Sequence, residues 1–290
     1  MEALIASARR KGSAVAVGLD PDPRHLPPGI VERVRGGELT EAEAVREFCL
    51  GVLEAVEPEA AAVKLQSAYF ERLGLEGTEV YAALIRAASD LGLPTIADVK
   101  RGDIGPVSAA YAEAHLSVYG ATSVTVNPYM GADAVEPFLV EARRLGRGGG
   151  VFVLVATSNP SATDLQDSST PPLYEAAAQL VANLGRAGTS SYLDAGAVVG
   201  ATRPELGRRT RELLPDALFL TPGYGAQKGD AAGIKALLDA DGAGVLVNSS
   251  RGILRAFESD PDSAGGDYRS AARAAALRMR EDLFGAGVQT

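Results

Sequence analysis

Thr95-Ile96-Ala97-Asp98-Val99-Lys100-Arg101-Gly102-Asp103-Ile104 opens as an apolar strand and closes in a crowd of charges. Side chains on a strand alternate between two faces, so Asp98 and Lys100 leave from the same one. A buried charge costs several kcal/mol unless it is paired, so an anion and a cation at this point need a reason. The bland reading is a solvated strand end carrying an incidental ion pair. The rest of the chain decides between that reading and a site.

Other apolar runs resemble this one. They are Ser13–Asp20, Ala60–Gln66, Ser123–Asn127, Gly150–Thr157, Ala195–Ala201, Leu218–Gly223 and Gly244–Ser249. Their hydrophobicity is continuous rather than alternating, which marks strands buried on both faces, as in a parallel sheet. Helical patterns fall between them. Thr40-Glu41-Ala42-Glu43 is a capping box opening a helix to Val56, and Val80, Leu84, Ala87, Ala88 and Leu91 form one stripe. Ile104, Val107, Tyr111, Ala114, His115 and Val118 form another, on which His115 reads as a packing residue. Helices are also expected at 131–146, from Pro171 to Ala187, from Pro204 onward and at 267–284, and the stretches Pro21–Leu39 and Ser158–Pro171 are expected to be loops. About eight strands alternating with about eight helices predict a single-domain (β/α)8 TIM barrel over residues 1–290, with residues 1–12 as a short N-terminal lead-in helix.

The 290 residues carry a net charge of −9, which argues against nucleic-acid or anionic-membrane partners. Cys49 is the sole cysteine, and His25 and His115 lie in unrelated contexts, so neither a disulfide nor a His- or thiolate-ligated metal is indicated. No run nears about 18 apolar residues and no signal-peptide pattern opens the chain, so a cytoplasmic location is expected.

In such a barrel the chemistry collects at the C-terminal strand ends. Those ends hold Asp20, Lys64, Asp98 with Lys100, Asn127, Thr157 with Ser158, and the segment Asn248–Arg251. Ionisable groups of alternating sign from the first three strands meet in one corner, where they can hold one another charged. The turns after strands seven and eight, Gly223-Tyr224-Gly225-Ala226-Gln227-Lys228-Gly229 and Ser249-Ser250-Arg251-Gly252, suit a phosphate: glycine N–H groups approach it, Gln227 donates, and Arg251 grips two oxygens. The spacing is not that of a dinucleotide-binding loop. A phosphorylated small molecule whose reacting end lies among Lys64, Asp98, Lys100 and Asp103 is the expectation, with acid–base and electrostatic chemistry acting on it.

Val17-Gly18-Leu19-Asp20-Pro21, Val63-Lys64-Leu65-Gln66, Asp98-x-Lys100-x-x-Asp103-Ile104, Ala156-Thr157-Ser158-Asn159-Pro160, Pro222-Gly223-Tyr224-Gly225-Ala226-Gln227 and Ser249-Ser250-Arg251-Gly252 together resemble the orotidine 5′-phosphate decarboxylase family, in its longer bacterial branch. The resemblance implies cofactor-free loss of CO2 from orotidine 5′-monophosphate to give UMP. It implies Lys100 as the acid that protonates C6 and Asp98 beside the substrate carboxylate. Lys64 would bridge Asp20 and Asp98, with Asp20 also reaching the ribose. Ser158 would bond the pyrimidine, and Gln227 and Arg251 the phosphate. It further implies a homodimer in which Asp103 and Ile104 complete the partner's site. The hydroxyl residue expected four positions after Asp103 is here Val107. Two other readings use the same residues: a metal-dependent sugar-phosphate decarboxylase or synthase, which shares Asp98, Lys100 and Asp103, and a non-catalytic nucleotide-binding sensor.

Overall fold

A computed structural model describes residues 1–190, 192–224, 231–259 and 267–290. Eight parallel strands close into a barrel in sequence order: β1 (Val15–Leu19), β2 (Ala62–Gln66), β3 (Thr95–Arg101), β4 (Ser123–Val126), β5 (Gly150–Ala156), β6 (Ala195–Val199), β7 (Phe219–Pro222) and β8 (Val245–Ser249). β1 pairs with both β2 and β8, which shuts the ring. The β/α period predicts this topology because each crossover helix must cover the outer face of the strands it joins. The outward side chains of the strands and the inner faces of the helices form the main apolar core.

A second apolar cluster fills the lower barrel. Ala16, Ala62, Ile96, Phe152 and Leu246 pack there against Leu4, Ile5 and Ala8 of the lead-in helix Glu2–Lys11. That helix packs across the N-terminal end of the barrel, and the polar strand ends face the C-terminal mouth. One inward layer higher the lining divides. β2 to β4 present Lys64, Asp98 and Thr125, whereas β5 to β7 present Leu154, Val198 and Leu220 around a cavity of about 730 Å³.

Two segments are more ordered than expected. The stretch Pro21–Leu39 contains a 3-10 turn at Pro23–His25 and a helix at Pro28–Arg35. Its prolines read as breakers, but Pro28 occupies the first helical turn, where a missing N–H leaves nothing unsatisfied. Ile30 anchors this helix in the core and Arg33 pairs with Glu47 at 2.6 Å. The stretch Ser158–Pro171 likewise contains short helical turns at Pro160–Ala162 and Thr163–Gln166. His115 is buried against Tyr81 and Tyr119, the packing role expected of it.

Candidate active site

β2 and β3 are in register with Gln66 beside Asp98 and Lys64 beside Ile96, so Lys64, Gln66 and Asp98 all face the barrel interior near its mouth. Lys64 Nζ donates to Asp98 Oδ2 at 2.8 Å and to Asp20 Oδ1 at 3.4 Å. Gln66 Nε2 donates to Asp98 Oδ2 at 3.1 Å, and Lys100 Nζ donates to Asp98 Oδ1. Asp98 Oδ1 also accepts from the Thr125 hydroxyl at 2.9 Å. Both carboxylate oxygens of Asp98 therefore have two donors each.

Charge and burial oppose one another here. Burial alone would push the Asp98 carboxyl up, but the Lys64 and Lys100 ammonium groups outweigh it and hold the acid well below the usual carboxylate range. Burial would likewise pull the Lys64 ammonium down, and Asp98 with Asp20 reverses the sign and raises it. Lys64 and Asp98 stay fully charged at neutral pH in a site whose other wall is apolar. Charge–charge terms are stronger in such surroundings than in water. Lys100 differs from Lys64 in exposure: its side chain is 43% accessible, against 6%. The buried lysine holds the array together, and the half-exposed one faces the cavity.

Asp98 and Lys100 come together, though not by regular alternation. Pairing of β3 with β4 runs Ile96 with Ser123 and Ala97 with Val124, then jumps to Arg101 with Val126. β3 thus carries a bulge over Asp98–Lys100 opposite Thr125, and Lys100 takes φ 47°, in the left-handed region. Among the described residues it is the sole non-glycine with positive φ.

The other expected residues stand as follows. Asp20 sits just past β1, within reach of Lys64. Asp103 joins none of the array's hydrogen bonds among the described residues: its Oδ1 accepts from the N–H of Ile104 at 2.8 Å, and Ile104 is 53% exposed. Ser108, one position after Val107, turns inward, and its buried hydroxyl bonds Asp103 N at 3.1 Å and Ala134 O at 3.1 Å. Ser158 lines the cavity after β5. Gly200 leaves it room, because a Cβ at Gly200 would meet Ser158 Cβ at 2.7 Å. Arg251 is exposed and opens the short helix that follows β8. Gln227 lies outside the described residues.

Three contributors were not singled out by the sequence. Gln66 follows Lys64 by two, so strand alternation could have flagged it. Thr125 lies in Ser123–Val126, whose β-branched residues read only as strand formers. Gln166 reaches back from the loop, its Oε1 accepting from Thr157 N at 3.0 Å and its Nε2 donating to Thr157 Oγ1 at 2.7 Å. That clamp fixes the backbone just before Ser158.

The fold and the site define a (β/α)8 barrel of the enzyme class that carries its charged groups at the C-terminal mouth, here an array suited to acid–base and electrostatic chemistry. Among the described residues no group of three or more His, Cys, Asp or Glu is placed to hold a metal ion. Comparison with known proteins narrows the class. Residues 13–268 match the orotidine 5′-phosphate decarboxylase / HUMPS family, and the chain belongs to it. It is 40% identical to the orotidine 5′-phosphate decarboxylase of Rhodopirellula baltica, over 97% of this chain and 98% of that one. It is 41% identical to the enzyme of that name from Deinococcus radiodurans, over 94% and 92% of the two chains. The solved structure of Leishmania donovani OMP decarboxylase superposes with a TM-score of 0.76 at 34% identity, covering 99% of this chain and 98% of that one.

Proposed function

We infer that this chain is a carboxy-lyase that converts orotidine 5′-monophosphate to UMP and CO2, the last step of de novo pyrimidine nucleotide synthesis. The observation that carries the reading is the array Asp20–Lys64–Asp98–Lys100, set at the mouth of a barrel whose relatives bear that activity over nearly their full length. Loss of CO2 leaves an electron pair on a ring carbon. An ammonium already fixed beside that carbon stabilises the developing charge without reorganising, and then supplies the proton. Lys100 is assigned that role, because of the two lysines lining the cavity it is the exposed one, 43% accessible against 6% for Lys64. Asp98 lies next to the leaving carboxylate, and Lys64 keeps Asp98 ionised and placed. Asp20 takes the ribose, Ser158 the base, and Arg251 with Gln227 the phosphate, whose binding energy orients the reacting end.

Neither rival has comparable support. A metal-dependent relative needs carboxylates free to ligate, whereas here the Lys64 ammonium stands between Asp20 and Asp98. One assay tests the reading: substrate absorbance is followed in EDTA for wild type and Lys100→Ala. Wild-type turnover that persists, with the variant nearly inactive, is expected; abolition by EDTA or an active variant overturns it.

Asp103 and Ile104 are assigned to the site of a second copy of the chain, as their separation from the array and the exposed side chains of Ile104, Val107, Tyr129 and Met130 suggest. Mixing and refolding Lys100→Ala with Asp103→Ala should then restore about a quarter of wild-type activity, since half the dimers would be hybrids with one intact site of two. No recovery argues for sites built from one chain. An acidic chain whose single cysteine is buried, and whose described helices include none long and apolar enough to cross a membrane, fits a cytoplasmic enzyme.

A further inference from the structure

The Thr125 hydroxyl makes three bonds, each with a different part of the bulge in β3. Its oxygen accepts from the backbone N–H of Val99 and of Lys100, both at 3.0 Å, and its proton goes to Asp98 Oδ1 at 2.9 Å. A hydroxyl has one proton and two lone pairs, so its capacity is used completely. Thr125 is about 1% exposed and water has no ready access to these groups. Both N–H groups fall within the register jump between Ala97 and Arg101, where β3 and β4 have no paired residues. A strand bulged without such an acceptor would leave the buried Val99 donor and the part-buried Lys100 donor unpaired, at a cost of up to about two lost hydrogen bonds. Lys100 also holds a left-handed backbone that a residue with a side chain adopts only when its surroundings impose it.

We propose that Thr125 is a positioning residue of the decarboxylase: its hydroxyl pins the β3 bulge, turning Lys100 into the cavity while fixing the rotamer of Asp98 beside it. The inference rests on the function proposed above but concerns a residue of the strand next door. Through one oxygen atom it sets the relative placement of the proton donor and the carboxylate. Lys64 and Gln66 hold the other oxygen of Asp98, so the carboxylate is fixed from both sides. The same hydroxyl cannot be replaced by a methyl group of equal size, because the interaction is polar at all three contacts.

Thr125→Val keeps the volume and removes the hydroxyl; Thr125→Ser keeps the hydroxyl and removes the methyl. The valine variant should lose kcat by on the order of 10²-fold, as for a reacting group displaced by about an ångström, with KM within about threefold. Rates are taken per active site titrated with a tight-binding nucleotide analogue, so a smaller folded fraction does not count. The acidic limb of its kcat–pH profile should also move toward neutrality, because Asp98 keeps Lys64, Lys100 and Gln66, with the Asp20 carboxylate still opposing its charge, but loses one donor. The serine variant should restore both readouts to near wild type. Valine kcat within about twofold of wild type, or serine as impaired as valine, overturns the proposal. If valine does not fold, hydrogen exchange in the wild-type enzyme decides: the Val99 and Lys100 amides should be protected as the barrel strands are, and exchange at the rate of exposed turns overturns the pin. A wild-type enzyme without decarboxylase activity would instead overturn the function proposed above.

Discussion

Both ends of the barrel bury a cation, and they neutralise it differently. At the N-terminal end, Arg211 of the helix Pro204–Leu213 is 8% exposed. Its guanidinium donates to the carbonyls of Leu237, Leu214, Ala217 and Gly244 at 2.7–2.9 Å and lies 3.7 Å over the ring of Phe219. Burial pulls its pKa down, though only to about 10 because Asp239, Tyr192 and Asp216 nearby oppose the shift, so it stays charged at neutral pH even though the groups it hydrogen-bonds are carbonyls. At the open end, Lys64 is as buried, but its partners are the side-chain carboxylates of Asp98 and Asp20. Backbone carbonyls are fixed dipoles that neither titrate nor change partner. Carboxylates carry full charge, can be displaced, and act on whatever enters the cavity. The first arrangement holds loops together; the second holds a field.

The largest expected effect separates these roles at the open end. Lys100→Ala should lower kcat by about 10⁴-fold, the combined scale of losing an acid and a preorganised charge. Its thermal stability should barely change, because Asp98 keeps Lys64, Gln66 and Thr125 and the Lys100 side chain is already half exposed. Steady-state kinetics beside a melting curve reads both. A variant that loses stability rather than turnover would make Lys100 a counterpart of Arg211.

Arg211→Met should do the reverse. It strands several buried carbonyls and should cost about 3 kcal/mol of stability, read in urea unfolding, while kcat per folded enzyme stays within about twofold. A fall in kcat would mean that the N-terminal end of the barrel communicates with the mouth.

The same contrast explains what could be read in advance. The barrel was legible because strands buried on both faces give continuous apolar runs, and the charges ending three of them break that run conspicuously. Lys64, Asp98 and Asp20 followed from position alone. Arg211 was not legible: in Arg208-Arg209-Thr210-Arg211 it looks like a solvated helix face, and only the tertiary fold turns it onto Phe219. The bulge was not legible either. Asp98 and Lys100 were expected on one face of a regular strand, and they meet instead across a bulge whose Val99 and Lys100 N–H groups are accepted by Thr125, distant in sequence. The residues alone grouped Asp103 with Asp98, and the resemblance gave it to a partner's site; in the structure β3 ends between the two, and Ser108 bonds the backbone of Asp103 in the following turn.

A third buried base extends the comparison to a group held neutral. His115 sits in a nest with Tyr81 and Tyr119, and burial pulls its pKa from 6.5 down to about 4, with nearby Arg101 adding to the effect. The unfolded chain takes up this proton near pH 6.5, while the folded chain resists it until about pH 4. The neutral imidazole therefore contributes stability that is complete above about pH 6.5 and is lost as pH falls toward 4. Over that window the loss amounts to about 3 kcal/mol. His115→Gln, which does not titrate, should lack this component, so the wild-type-minus-variant difference in unfolding free energy should shrink steadily from pH 7 to pH 4. Carboxylates titrating in the same range cancel in that difference. A difference independent of pH would place a water or an anion beside His115 and make the nest more like the open end of the barrel than the N-terminal one.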